Sequence, residues 1–137
     1  MQEKSRVQIF QLREQEGYFD ASSLEDEELN QVPEDTICLS LENSKITDVG
    51  IMLLPKLRKL KCIDLDSTLI TDDGLKKICE FKSLEEVWIE DTSITDRGFK
   101  LLSSLPNLKY VSFWGVTVSD EAFNHVIAAL PELKYEG

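Results

Sequence analysis

A five-residue motif returns at a constant interval of 24 residues. It reads Ile46-Thr47-Asp48-Val49-Gly50, Ile70-Thr71-Asp72-Asp73-Gly74 and Ile94-Thr95-Asp96-Arg97-Gly98, then fades into Val118-Ser119-Asp120-Glu121-Ala122. A fixed period of this length predicts a solenoid. Each unit is one supersecondary element that cannot bury its apolar face alone, so neighbours must stack to make a continuous core. The functional question then concerns which surface binds, more than which residue reacts.

Laid on one another, the repeats give columns. Leu60, Leu84 and Leu108 share one; Leu39, Ile63, Val87 and Val111 share another; Leu41, Leu65, Ile89 and Phe113 share a third; Ile46, Ile70, Ile94 and Val118 close the set. The alternation at the paired columns has period two and predicts a short strand with one face inward. After Thr-Asp the spacing becomes three, as in Ile51, Leu54, Leu57 and in Leu75, Ile78, Phe81. That predicts a short helical segment with one buried stripe. Thr47, Thr71, Thr95 and Ser119 stand where a helix N-cap is wanted, with an Asp beside each to meet the positive end of the helix dipole. Capping, rather than four catalytic Thr/Ser-Asp pairs, is the reading these residues support.

An earlier, degenerate unit runs through Leu24–Leu29 and Val32-Pro33 at an offset of 22, which places Phe19 on Leu41 and Gly17 on Leu39. The expected division is a single domain over 1–137, with a cap in 1–15 and a degenerate repeat in 16–36. Full repeats follow in 37–60, 61–84 and 85–108, then an atypical C-terminal repeat in 109–137. Tyr135 is expected to end the pattern, leaving five strands.

The unit L-x-x-L-x-L-x-x-T-x-I followed by T-D-x-G resembles leucine-rich repeats, over about residues 17–133. It looks like the ribonuclease-inhibitor-like and cysteine-containing branch, and like the short repeats of many bacterial proteins. The resemblance implies an α/β solenoid with a parallel sheet on the concave face and short helices on the convex face. It also implies a non-catalytic protein-binding role. The family's usual Asn or Cys after the strand is here Ser44, Thr68, Thr92 and Val116, so the polar ladder under the turn would be carried by hydroxyls and lost in the last repeat.

Residues between the apolar columns are expected on the concave face. Strand by strand these are Glu16, Tyr18 and Asp20; Cys38, Ser40 and Glu42; Cys62, Asp64 and Asp66; Glu86, Trp88 and Glu90; Tyr110, Ser112 and Trp114. The set holds seven carboxylates and four large aromatics, with no Lys or Arg. The candidate protein-binding residues are Tyr18, Asp20, Glu42, Asp64, Asp66, Glu86, Trp88, Glu90, Tyr110 and Trp114. Exposed aromatics rimmed by charge suit a binding hot spot, and the acids would steer a basic partner.

Composition excludes other classes. The net charge of −11 repels phosphate, so nucleic acid is not the expected partner. It is steepest in residues 1–36, which carry 10 acids and 3 bases. No apolar run approaches the roughly 20 residues needed to span a bilayer, so no membrane association is expected. No signal peptide is visible, which points to the cytoplasm. Cys38, Cys62 and Cys79 lack metal-type spacing. A Cys38–Cys62 bridge between adjacent strands is geometrically conceivable, but reduced thiols are the simpler expectation. A hard cation among Asp64, Asp66, Glu86 and Glu90 would lack the carbonyl loop that calcium sites use. The sole histidine, His125, has no Ser or Cys nucleophile that the pattern places beside it. No catalytic residue, metal or cofactor is expected. The function this supports is a small binder of a basic protein, in its sharpest form an immunity or inhibitor protein that masks a toxin. The alternative is a scaffold, assembly factor or substrate adaptor; a hydrolase is the remote third.

Overall fold

The computed structural model describes residues 16–137, and the expected cap in 1–15 lies outside the described residues. The chain forms a leucine-rich-repeat solenoid. Among the described residues, six short parallel strands pair in chain order: β1 (Tyr18–Asp20), β2 (Cys38–Ser40), β3 (Cys62–Asp64), β4 (Glu86–Trp88), β5 (Tyr110–Ser112) and β6 (Lys134–Glu136). Between them lie a 3-10 helix (Asp26–Gln31) and four α-helices. These are α1 (Asp48–Met52), α2 (Asp72–Ile78), α3 (Asp96–Lys100), extended by a 3-10 turn at Leu101–Ser104, and α4 (Asp120–Ala129). No described helix is long and apolar enough to cross a membrane.

The columns read from the sequence are the core. Leu39, Ile63, Val87 and Val111 stand in register across β2 to β5 and are fully buried. Beneath them Ile51, Leu75 and Phe99 point from the helices into the same layer and are equally buried. Strands of three residues cannot stand alone. Here β2, β3 and β4 also extend their ladders into the following turns, where Asn43, Ser67 and Asp91 donate their N–H groups to the carbonyls of Asp66, Glu90 and Trp114. Asn43, Ser67 and Asp91 take positive φ, as does Gly115 in the same place of the last full turn. A sharp left-handed step there redirects the chain from strand to helix, and Asn, Asp and Gly tolerate that step best. Thr68 and Thr92 brace it by donating their hydroxyls to the carbonyls of Leu65 and Ile89. These hydroxyls therefore act within one turn and do not form a ladder between turns.

The ladder between repeats is carried by the aspartates of the repeated motif. Asp26 accepts from both the N–H and the hydroxyl of Thr47. Asp48 does the same for Thr71, and Asp72 for Thr95. Thr47 and Thr71 also cap their own helices, accepting from Val49 and Asp73, but Thr95 makes no such bond. The glycine of the motif leaves room for this clamp: a Cβ on Gly74 or Gly98 would stand 2.3 or 2.1 Å from the carboxylate oxygen of Asp48 or Asp72. Where the glycine becomes Ala122, the preceding Asp96 keeps a bond from the Ser119 N–H, and the Ser119 hydroxyl accepts from the Ala122 N–H. Backbone and side-chain hydrogen bonding from Ser119 still hold the Asp96 carboxyl below its ordinary range.

Both ends differ from the sequence expectation. Phe19 pairs with Leu39, not with Leu41, an offset of 20 residues. The helical part keeps the offset of 22, since Asp26 holds Thr47 as Asp48 holds Thr71. The first unit is thus shorter on both sides of its 3-10 helix, which a single offset cannot reveal. At the other end the pattern does not stop at Tyr135. Residues Lys134–Glu136 form β6, with Tyr135 opposite Val111 in the core column. Tyr135 is half exposed and packs edge-on against Phe123 at 4.8 Å.

Candidate functional site

The strand residues that point away from the core form the outer face of the sheet. Parallel pairing sets them in rows. Tyr18, Cys38, Cys62, Glu86, Tyr110 and Lys134 make one; Asp20, Ser40, Asp64, Trp88, Ser112 and Glu136 make the next. Glu42, Asp66, Glu90 and Trp114 follow in the turns. The sixth strand adds what a five-strand reading leaves out: an exposed base, Lys134, on a face expected to have none.

The aromatics are not all displayed. Trp88 is fully buried and Tyr110 nearly so. The Trp88 ring lies 5.1 Å from that of Tyr110, tilted by 48°, and both belong to a second small cluster with Cys38, Cys62 and Tyr18. Alternation had marked these positions as outward, and outward they are. Large side chains on strands about 4.8 Å apart nevertheless cover one another, so pointing away from the core is not the same as meeting solvent. Trp114 sits in a turn beyond β5, outside that cluster, and is 52 % exposed.

The carboxylates divide in the same way. Asp64 and Asp66 are buried, while Glu42, Glu86 and Glu90 are half-buried and Asp20 is exposed. Asp64 accepts from the Asp66 N–H at 3.0 Å, and Asp66 accepts from the Glu90 N–H at 2.7 Å. Glu90 in turn accepts from the Ser112 hydroxyl. These acids therefore tie turn to turn, as the motif aspartates do on the helical side. Oxygens of Glu42, Asp64 and Asp66 lie within 4.8 Å of one another, a different trio from the cation set considered on spacing alone. Burial pushes the Glu86 carboxyl above its ordinary range, the Trp88 indole beside it partly offsets this, and the Glu85 charge adds to it.

The cysteines are free thiols and all three are buried. The Cys38 thiol against Cys62, together with burial, raises Cys62 far above the usual thiol range, and burial pushes Cys79 up to about 12 against a small opposing pull from Lys82. Thiolate is the reactive form. At pH 8 the native protein is expected to resist Ellman's reagent over minutes and to release its full thiol count at once in denaturant. Rapid labelling of the native state would contradict the burial described here.

His125 does have a serine neighbour, from the preceding turn. Its Nε2 lies 3.5 Å from the Ser103 hydroxyl, but that hydroxyl donates to the Lys100 carbonyl and the histidine is exposed. A surface pair whose hydroxyl proton is already placed elsewhere lacks the arrangement that activates a nucleophile.

Among solved structures the chain is similar to an internalin (inlF) from Listeria monocytogenes. The TM-score is 0.51 at 12 % identity, covering 75 % of this chain and 35 % of the internalin chain. The described protein thus spans about a third of that neighbour, and the likeness is one of fold. No protein-family model matches the sequence, and no curated protein matches it.

Proposed function

We propose that the protein is a non-catalytic binding module that docks a basic protein partner on the outer face of its sheet. The observation that carries the reading is Trp114. A half-exposed tryptophan stands at the end of a row whose other members are Glu42, Asp66 and Glu90. Tryptophan is among the residues that most often dominate binding energy, and the carboxylates along its row select a cationic counterpart. The contact surface comprises Asp20, Glu42, Glu86, Glu90 and Trp114. Behind it Tyr18, Asp64, Asp66, Trp88 and Tyr110 hold the face in shape. With a net charge of −11 on a short repeat array, the fitting role is an immunity or inhibitor protein that masks a basic toxin such as a nuclease. A cytoplasmic setting follows from the same reading.

The test is affinity capture from host lysate, with the product of the neighbouring gene as the first bait. Trp114→Ala and Glu42→Lys are expected each to weaken capture by roughly tenfold or more, since truncating a hot-spot residue costs about 2 kcal/mol or more. Melting temperature should stay essentially unchanged in both. Undiminished capture by both variants would move the binding surface elsewhere.

A further inference from the structure

The turns that lead out of α1 and α2 line an open pocket of about 410 Å³. Its apolar floor is made by Leu54, Leu57 and Phe81. Its rim carries Lys56, Arg58, Lys77 and Lys82 against a single acid, Glu80. Four of the chain's 15 basic residues thus meet around one concavity, in a protein that holds 26 acids. Glu80 is engaged by Lys77 at 3.3 Å, and Lys82 reaches over to the carbonyl and hydroxyl of Ser104. Lys56 and Arg58 are exposed. Just before the pocket, Met52 at the end of α1 and its C-cap Leu53 are 52 % and 42 % exposed. Leu53 occupies the place that Lys77 takes in the next repeat, so apolar surface and cationic rim adjoin.

A bland solvated face would scatter its charges, and the acidity of this chain makes a local excess of cations more notable still. An apolar floor with a cationic rim recognises a ligand that is the converse of both: apolar side chains flanked by carboxylates. The volume suits one or two such side chains, and the open edge formed by the turns after α1 and α2 suits a chain segment more than an enclosed small molecule. We infer that this edge is a second docking site, for an acidic peptide segment carrying a central pair of large apolar residues. The pocket shares no residue with the contact surface of the sheet, so both surfaces can be filled together, and the protein would bridge a basic partner and an acidic one. The inference stands whether or not the sheet face binds anything.

The probe is a fluorescein-labelled peptide in which glutamates flank a Leu-Phe pair, followed by anisotropy and by backbone amide shifts of the labelled full chain. Saturable binding that weakens with salt, with shifts confined to the Leu54–Arg58 and Lys77–Ser83 segments, is expected. Arg58→Glu combined with Lys56→Glu should weaken it by roughly tenfold, as two partly exposed ion pairs lost and reversed would. Both side chains are exposed, so this variant keeps its fold; Trp114→Ala should bind the peptide as wild type does. A twin peptide with Ser-Ser for Leu-Phe, and one with lysines for glutamates, should both fail. The inference is overturned if the Leu-Phe peptide shows no saturable binding at millimolar concentration, or if the lysine twin binds equally. It also fails if the charge-reversed variant binds unchanged, or if shifts fall on the sheet face. Binding to phosphatidylserine vesicles with the peptide ignored would assign a lipid surface instead.

Discussion

Trp88→Ala is expected to destabilise the protein by about 3–5 kcal/mol, the cost usual for removing a large aromatic from a packed site. Trp88 is fully buried against Tyr110 and the Cys38–Cys62 pair, and its removal leaves a cavity that strands held by a ladder cannot collapse into. Trp114→Ala, on a half-exposed ring, should change stability by no more than about 0.5 kcal/mol. Denaturant titration separates the two: the midpoint should fall sharply for Trp88→Ala at nearly constant slope and hold for Trp114→Ala. Equal, small effects would mean that Trp88 is open to solvent, and would return it to the contact surface. The contrast also decides how binding data are read, because a Trp88 variant that loses a partner has lost fold first.

The difference between these two tryptophans marks where the sequence stops being informative. Period and alternation place Leu39, Ile63, Val87 and Val111 in one buried column, since an inward position in a stacked repeat has only core to meet. For outward positions alternation gives direction but no depth. Depth depends on the size of the neighbours one strand away, as for Trp88 beside Tyr110, and on whether the residue lies in the strand or in the turn beyond, as for Trp114. The ends were harder to read for a related reason. Among the described residues the register of β1 and the existence of β6 rest on pairing with a single neighbour, so departures of one or two residues leave no second column to check against. The cationic pocket was legible only in part. The bases after α1 and α2 are plain in the sequence, but that they face one another across an apolar floor depends on how adjacent turns stack.

The repeated motif was legible as capping, yet its larger role links neighbouring repeats, and a double-mutant cycle should expose that role. Asp72 is buried and accepts from the N–H and hydroxyl of Thr95, with Arg97 at 3.6 Å. Asp72→Ala should cost about 3 kcal/mol, because bonds to an ionised acceptor are among the stronger kind and the Thr95 groups would be left without it. Asp96→Ala, at the loosened end of the series, should cost distinctly less. Gly98→Ala alone sets two effects against each other. Alanine favours the helix by up to about 1 kcal/mol over glycine, but its Cβ would stand 2.1 Å from the Asp72 oxygen and 2.7 Å from its Cγ. The aspartate is short and held at both oxygens, so it cannot swing clear without surrendering its bonds; a net loss of about 1–2 kcal/mol is expected. In the Asp72→Ala background the carboxylate is gone and only the Cβ of position 72 remains, 3.1 Å away, a contact that a shift of a few tenths of an ångström relieves; the same Gly98→Ala change should then become neutral or stabilising. Gly98 does not have a positive φ, so its backbone gives no separate reason to exclude a side chain. A change of sign between the two backgrounds, read from unfolding midpoints, is the signature of the clamp. A Gly98→Ala cost that is the same in both would mean that the glycine serves packing alone, and that the aspartate ladder does not explain why T-D-x-G recurs.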